Sequence, residues 1–158
     1  MNFRALNQLD CNMLYNWYNM PHIKKWFPND AINLDQYSKR HKDKLEALDE
    51  WNYIAEYNSI PFGYICLYDA SIDSDNIGFI EPVGTYGMEL FIGNLDFIGK
   101  GFGQKMLLSF IEMIIKQNKD INRIILDPNP DNIVAYNLYL KLGFKPFREF
   151  YNPNYGKL

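Results

Sequence analysis

Apolar positions recur along this chain at two spacings, close to 3.6 residues in some stretches and as short runs in others, and the two alternate. Phe3 to Leu6 reads as a short first strand. Asp10 can cap a helix to about Asn19, with Leu14, Trp17 and Tyr18 at helical spacing. Pro21 and Pro28 then interrupt the pattern, so Ile23 to Phe27 is expected to be a turn or loop. Asn33 to Asp49 is charged and helical, with Leu34, Tyr37, Leu45 and Leu48 on its apolar side. Trp51 to Tyr57 and Phe62 to Tyr68 read as two arms of a hairpin joined by the turn Asn58-Ser59-Ile60-Pro61. Asp69 to Asn76 is a polar loop, and Tyr86 to Ile92 is a strand with glycines 84, 87 and 93 around it. Gly103 to Lys116 is an amphipathic helix whose Met106, Leu107, Phe110, Ile111 and Ile114 share one face. Arg123 to Leu126 is a short strand, Asp131 to Leu142 a helix stopped by Gly143, and Lys145 to Tyr151 a final strand. This order predicts an α+β or mixed α/β domain with a partly antiparallel sheet.

Length makes that one domain: 158 residues suit a single core spanning 1–158. Charge narrows the partners. Lys and Arg number 16 against 19 Asp and Glu, a net of −3, which argues against nucleic acid and is compatible with a cationic small molecule. Cys11 and Cys66 form no ligand spacing with each other or with histidine, so no zinc site is expected and both read as reduced core thiols. Neither a signal-peptide core nor an apolar run of membrane-spanning length is evident, which gives a soluble, cytoplasmic expectation. The 12 tyrosines and 11 phenylalanines are many, and fit either a large-ring core or the amphipathic walls of a pocket.

Two stretches carry chemistry. Gly99-Lys100-Gly101-Phe102-Gly103-Gln104 follows a strand and opens a helix. Glycines there let the backbone approach a ligand, and the helix start offers free N–H groups, together an anion site suited to a pyrophosphate. The order fits neither GxxxxGK[ST] nor a dinucleotide GxGxxG. The second stretch is Asp127-Pro128-Asn129-Pro130-Asp131-Asn132, followed by Ala135, Tyr139, Lys141, Gly143 and Phe144. Taken alone, Glu89 reads as a solvated strand residue, Tyr139 as a packing ring, and Asp127 as a cap or turn former. His22 and His41 have no nucleophile partner, so no triad is assigned.

Together these two motifs resemble the GNAT superfamily of acetyl-CoA-dependent N-acetyltransferases. Its aminoglycoside 6'-N-acetyltransferase branch is also resembled in Met13 to Trp17, Pro21 to Trp26, Pro61-Phe62-Gly63-Tyr64, Gly87-Met88-Glu89 and Asp127-Pro128-x-Pro130-x-Asn132. The resemblance implies a mixed central sheet flanked by helices, with splayed middle strands that bind acetyl-CoA. Ile98, Gly99, Lys100, Gly101, Phe102, Gly103 and Gln104 would hold the pyrophosphate. Leu90, Phe91 and Ile92 would pair with the pantetheine arm, an N–H there polarising the acetyl carbonyl, and Asn132 would help hold the arm. Tyr139 would protonate the leaving thiolate, and Glu89 would take the proton of the attacking ammonium. Asp127, Asp73, Asp75, Glu89 and Trp26 would face a cationic amine. Glu89 stands where the branch carries Asp, and Ile98 where many members carry Gln or Arg. The usual last strand is expected to be clipped to Tyr155 to Leu158 or to be supplied differently. The implied reaction is direct acetyl transfer to an aminoglycoside 6'-amine, with no metal. A hydroxylamine, polyamine or protein N-terminus as acceptor, or a CoA-binding module without catalysis, stay open.

Overall fold

The computed structural model describes residues 1–28, 33–72, 81–152 and 156–158. Five strands make one sheet in the order β1-β2-β3-β4-β5. β1 (Asn2–Ala5), β2 (Glu50–Tyr57), β3 (Ile60–Asp69) and β4 (Thr85–Ile92) pair antiparallel, and β5 (Arg123–Ile125) lies parallel to β4. The expected four-residue turn tightens to two residues. Asn58 and Ser59 both take positive φ, 50° and 62°, as a hairpin turn that matches the strand twist requires. Pro61 therefore falls inside β3, where the register shifts between Ala55 and Glu56; a bulge accommodates a residue with no N–H to give.

Side chains alternate across the sheet and split the core. One face packs against α1 (Cys11–Tyr18) and α3 (Leu34–Glu46), with Ile54, Tyr64, Cys66 and Phe91 meeting Leu14, Trp17, Tyr18 and Tyr37. On the other, Ile65, Leu67 and Met88 meet Leu107, Phe110 and Ile114 of α4 (Phe102–Gln117). Many of the aromatic residues go to the first core. The fully buried Tyr18 ring has Phe27, Tyr37, Tyr64 and Phe91 around it, at centroid distances from 4.9 to 6.2 Å.

Three local readings change. Pro21 starts α2 (Pro21–Lys24) rather than breaking the chain, because the first helical position needs no N–H and suits proline's fixed φ. α3 ends at Glu46, three residues short of Asp49. The expected strand Lys145 to Tyr151 is reduced to β6 (Tyr151–Asn152), which pairs with β7 (Gly156–Lys157) in a small hairpin closed by Phe150 and Leu158. Side chains anchor the residues before it: Arg148 and Arg123 both reach the buried Glu81 carboxylate, and both guanidiniums lie 5.2 Å from the Phe147 ring. Pro146 has no N–H for a ladder there. α5 (Ile133–Lys141) ends at Gly143, whose φ is +93°.

At the start of the chain, Asp10 ties β1 to α1. Both its oxygens accept from Arg4 (2.6 and 2.7 Å), one also from the Asn7 N–H (3.0 Å), and its side chain is only 6% exposed. Burial alone would raise its pKa; the hydrogen bonds from Arg4 and Asn7 outweigh that and hold it below the ordinary value. A depressed folded pKa stabilises above the unfolded value, near 3.8, and that stability is lost as pH falls through the folded value. Asp10→Ala is expected to cost about 3 kcal/mol at neutral pH. It should also flatten the acid side of the stability curve. Thermal denaturation from neutral into acid pH checks both effects.

Candidate active site

The site begins where the sheet opens. The β4–β5 ladder covers only Thr85 to Gly87 against Arg123 to Ile125. Beyond it, Met88 to Ile92 have no partner in β5, and the two strands part. Chemistry on both sides explains the short ladder. Pro128 and Pro130 cannot extend it from the β5 end. At Gly87 the Tyr68 ring occupies the place a Cβ would take, so the backbone is approached closely where pairing stops.

Between the parted strands lies a cleft of about 520 Å³. Glu89, Leu90, Phe91 and Ile92 of β4 line it, as do Ile98, Gly99, Gly101, Phe102, Gly103 and Gln104 of the glycine loop and α4 start. Asp127 from beyond β5, Asn132 and Tyr139 around α5, and Trp26 after α2 complete the wall. The fold thus brings together the residues expected from the sequence, apart from three. Lys100 is exposed on the loop and does not line the cleft, and Asp73 and Asp75 lie outside the described residues.

The glycine loop is shaped for an anion. Gly99 and Gly101 have φ of +72° and +77°, and a Cβ on either would meet no atom within 4 Å, so both glycines answer to backbone conformation and open space. Gly101 is the N-cap of α4 and supplies no side chain to the helix. The first intrahelical acceptor is Gly101, taken by the Lys105 N–H at 3.2 Å, which leaves the N–H groups of residues 102–104 and the helix dipole for a ligand. Packed rings hold the loop: Phe97 meets Phe102 edge-on at 4.7 Å and stacks on Phe62 at 4.9 Å.

Acid–base groups sit at the other end. Glu89 is half-buried, and Tyr18 Oη donates to its Oε1 at 3.2 Å. Burial, and then the nearby Asp127 carboxylate, push the Tyr139 phenol well above its ordinary pKa, so it carries its proton throughout the physiological range. The cleft therefore offers a carboxylate acceptor, a phenol donor and a second carboxylate. Among the described residues no cluster of His, Cys, Asp and Glu could hold a metal. Sequence reasoning missed Tyr18 as a partner of Glu89, and His22 as a lining residue whose Nε2 donates to the Ile92 carbonyl at 3.0 Å. Once Pro21 is taken as a helix start, His22 and Trp26 fall one turn apart, and that spacing is the signal that could have found His22.

The acetyltransferase (GNAT) domain family matches residues 7–151. The chain belongs to the GNAT family. The aminoglycoside N(6')-acetyltransferase type 1 of Klebsiella pneumoniae is 29% identical over 148 residues, spanning 90% of this GNAT chain and 72% of that protein. The lysine N-acyltransferase MbtK of Mycobacterium tuberculosis is 25% identical over 146 residues, spanning 90% and 67%. The crystal structure of aminoglycoside acetyltransferase AAC(6')-Ib with coenzyme A and kanamycin superposes at a TM-score of 0.87 and 28% identity, covering 99% of this chain and 90% of that one. The GNAT fold is thus present with its mixed five-stranded sheet and flanking helices. No helix among the described residues is long and apolar enough to cross a membrane.

Proposed function

We propose that this GNAT chain transfers an acetyl group from acetyl-CoA to a primary amine of an aminoglycoside, at the 6' position, within one ternary complex. The observation that carries the reading is the placing of Glu89 on the length of β4 that β5 does not reach, between a glycine loop at one end of the cleft and Asp127 across it. Relatives with aminoglycoside acetyltransferase activity by name, and a similar fold solved with coenzyme A and kanamycin, supply the substrate class.

The residues fit the donor. Free N–H groups at residues 102–104 receive the pyrophosphate, with Gly99 and Gly101 keeping the approach open. The backbone of Leu90 to Ile92, which β5 does not pair, takes the pantetheine arm as an added strand, and one of its N–H groups serves the carbonyl oxygen where charge develops. Asn132 Oδ1 already caps α5 through the Ala135 N–H at 3.3 Å, so its amide nitrogen is the group left to hold the arm. When bound, acetyl-CoA supplies a thioester that needs no enzyme nucleophile.

Glu89 and Asp127 draw a cationic amine into the cleft, and Trp26 forms an apolar wall against the sugar. Glu89 takes the proton that the ammonium must lose, directly or through water. Tyr139 Oη, protonated at neutral pH, holds a proton for the departing sulfur. Glu89 reaches one methylene further than the aspartate of the branch it resembles, which bears on the choice of amine.

A second acceptor class is favoured by one finding: a relative named for lysine N-acylation aligns over the same length. Thiol release from acetyl-CoA separates the two. The purified chain is expected to release thiol with kanamycin and to add one acetyl group at the 6'-nitrogen. Release with a lysine side-chain amine and with no aminoglycoside would replace the first reading by the second.

A further inference from the structure

Behind Glu89 the aromatic core contains a connected set of polar groups. Tyr18, fully buried on α1, donates to Glu89 Oε1 at 3.2 Å, and its ring packs against Tyr64 at 6.2 Å. Tyr64 on β3 is also fully buried and donates to Asn52 of β2. It accepts from Lys44 Nζ at 3.1 Å, and the same ammonium donates to Glu50 Oε1 at 3.2 Å and lies over the Tyr64 ring. Lys44 reaches inward from α3, its side chain only 16% exposed.

An ammonium in an aromatic core is costly without nearby negative charge. Burial alone would lower the Lys44 pKa. The Glu89 and Glu50 carboxylates, joined by Tyr18 and Cys66 only where those ionise, outweigh it and hold the Lys44 pKa above its ordinary value, so Lys44 and Glu89 feel each other. The remaining groups around Glu89 decide what it feels in return. Cys66, its partner across β3, and Tyr64 are pushed up by burial and are neutral. Tyr37 of α3 and Tyr18 are buried phenols, and Tyr139 is protonated. His22 of α2 and the Asp127 carboxylate face the cleft. Glu50 opposes Lys44, but its side chain is 27% exposed and more screened by water. Lys44 is thus the cation set behind Glu89 in the core.

We propose that Lys44 is a positioning residue for the catalytic carboxylate: from the core it keeps Glu89 ionised, with Tyr18 donating to the charged form, so that the cleft is ready for a cationic amine. The inference rests on Glu89 being the proton acceptor of the proposed reaction. A positive charge favours a carboxylate's charged form, so removing it must raise the Glu89 pKa. It explains why a buried lysine, poor in packing terms, stands where an apolar residue would fit.

Carboxyl-carbon NMR of glutamate-labelled protein tests this directly, with the Glu89 signal identified by its loss in Glu89→Gln. Lys44→Met is expected to raise the Glu89 midpoint by roughly one pH unit. Lys44→Arg should leave it in place. An unmoved midpoint in folded Lys44→Met overturns the proposal. If that variant does not fold, Lys44→Gln decides by the same criterion, since it removes the same charge while keeping a polar side chain beside Glu50 and Tyr64. Turnover of Glu89→Gln separates the two failures. Normal turnover removes Glu89 from the reaction and the inference with it; lost turnover with an unmoved Lys44→Met midpoint overturns the inference alone.

Discussion

Glu89→Gln is expected to lower kcat/KM for the amine acceptor roughly 10²- to 10³-fold while leaving acetyl-CoA binding unchanged. The substitution keeps the side chain's shape, and its amide oxygen can still accept from Tyr18, so the contact with α1 is kept. It removes the acceptor for the ammonium's proton and one of the carboxylates that attract a cation into the cleft. The glycine loop that would bind the pyrophosphate stands on a different element, the start of α4, which is why donor affinity should be spared. Steady-state thiol release and calorimetry with coenzyme A measure the two quantities separately. Near-normal kcat/KM in the variant would remove Glu89 from the mechanism.

The opposite split is expected for Gly101→Glu, with the acetyl-CoA KM rising about 100-fold and acceptor affinity little changed. Two costs combine. A side chain at φ +77° is strained by about 1 to 2 kcal/mol. A carboxylate would also lie beside amides arranged for an anion, in the electropositive field of a helix start. Gly101→Ala serves as the control, because open space around the site means it adds strain without a clash or charge. Calorimetry with coenzyme A on both variants checks the ranking. Equal affinity for Gly101→Glu and the parent chain would mean that the loop does not hold the phosphates.

Much of the fold was legible because its elements carry strong local signals. The α4 face of Met106, Leu107, Phe110, Ile111 and Ile114 is an unbroken helical period; four of the five are buried and Ile111 is half-buried beside them. The glycine loop was legible for the same reason, since few residue types can take positive φ there. What stayed hidden depends on distance in the chain. Tyr18 was placed on the buried side of its helix, but nothing local shows that its hydroxyl meets a carboxylate 71 residues away. The buried polar set of Lys44, Asn52 and Tyr64 is equally non-local. Around Arg148, the mixed pattern resembles a strand, yet side-chain pairing with Glu81 holds those residues. Pro21 misled for another reason: it stops a helix from within and starts one from its first position, and only its place tells which.

The short β4–β5 ladder has a further consequence. In the proposed reaction the proton acceptor Glu89 stands on β4, a strand paired with β3 along its length, whereas the proposed acceptor wall at Trp26 follows a single helical turn that touches β4 through the His22–Ile92 hydrogen bond. The two can vary separately. A new acceptor asks for the repacking of one turn of helix, and a new reaction asks for the rebuilding of a central strand.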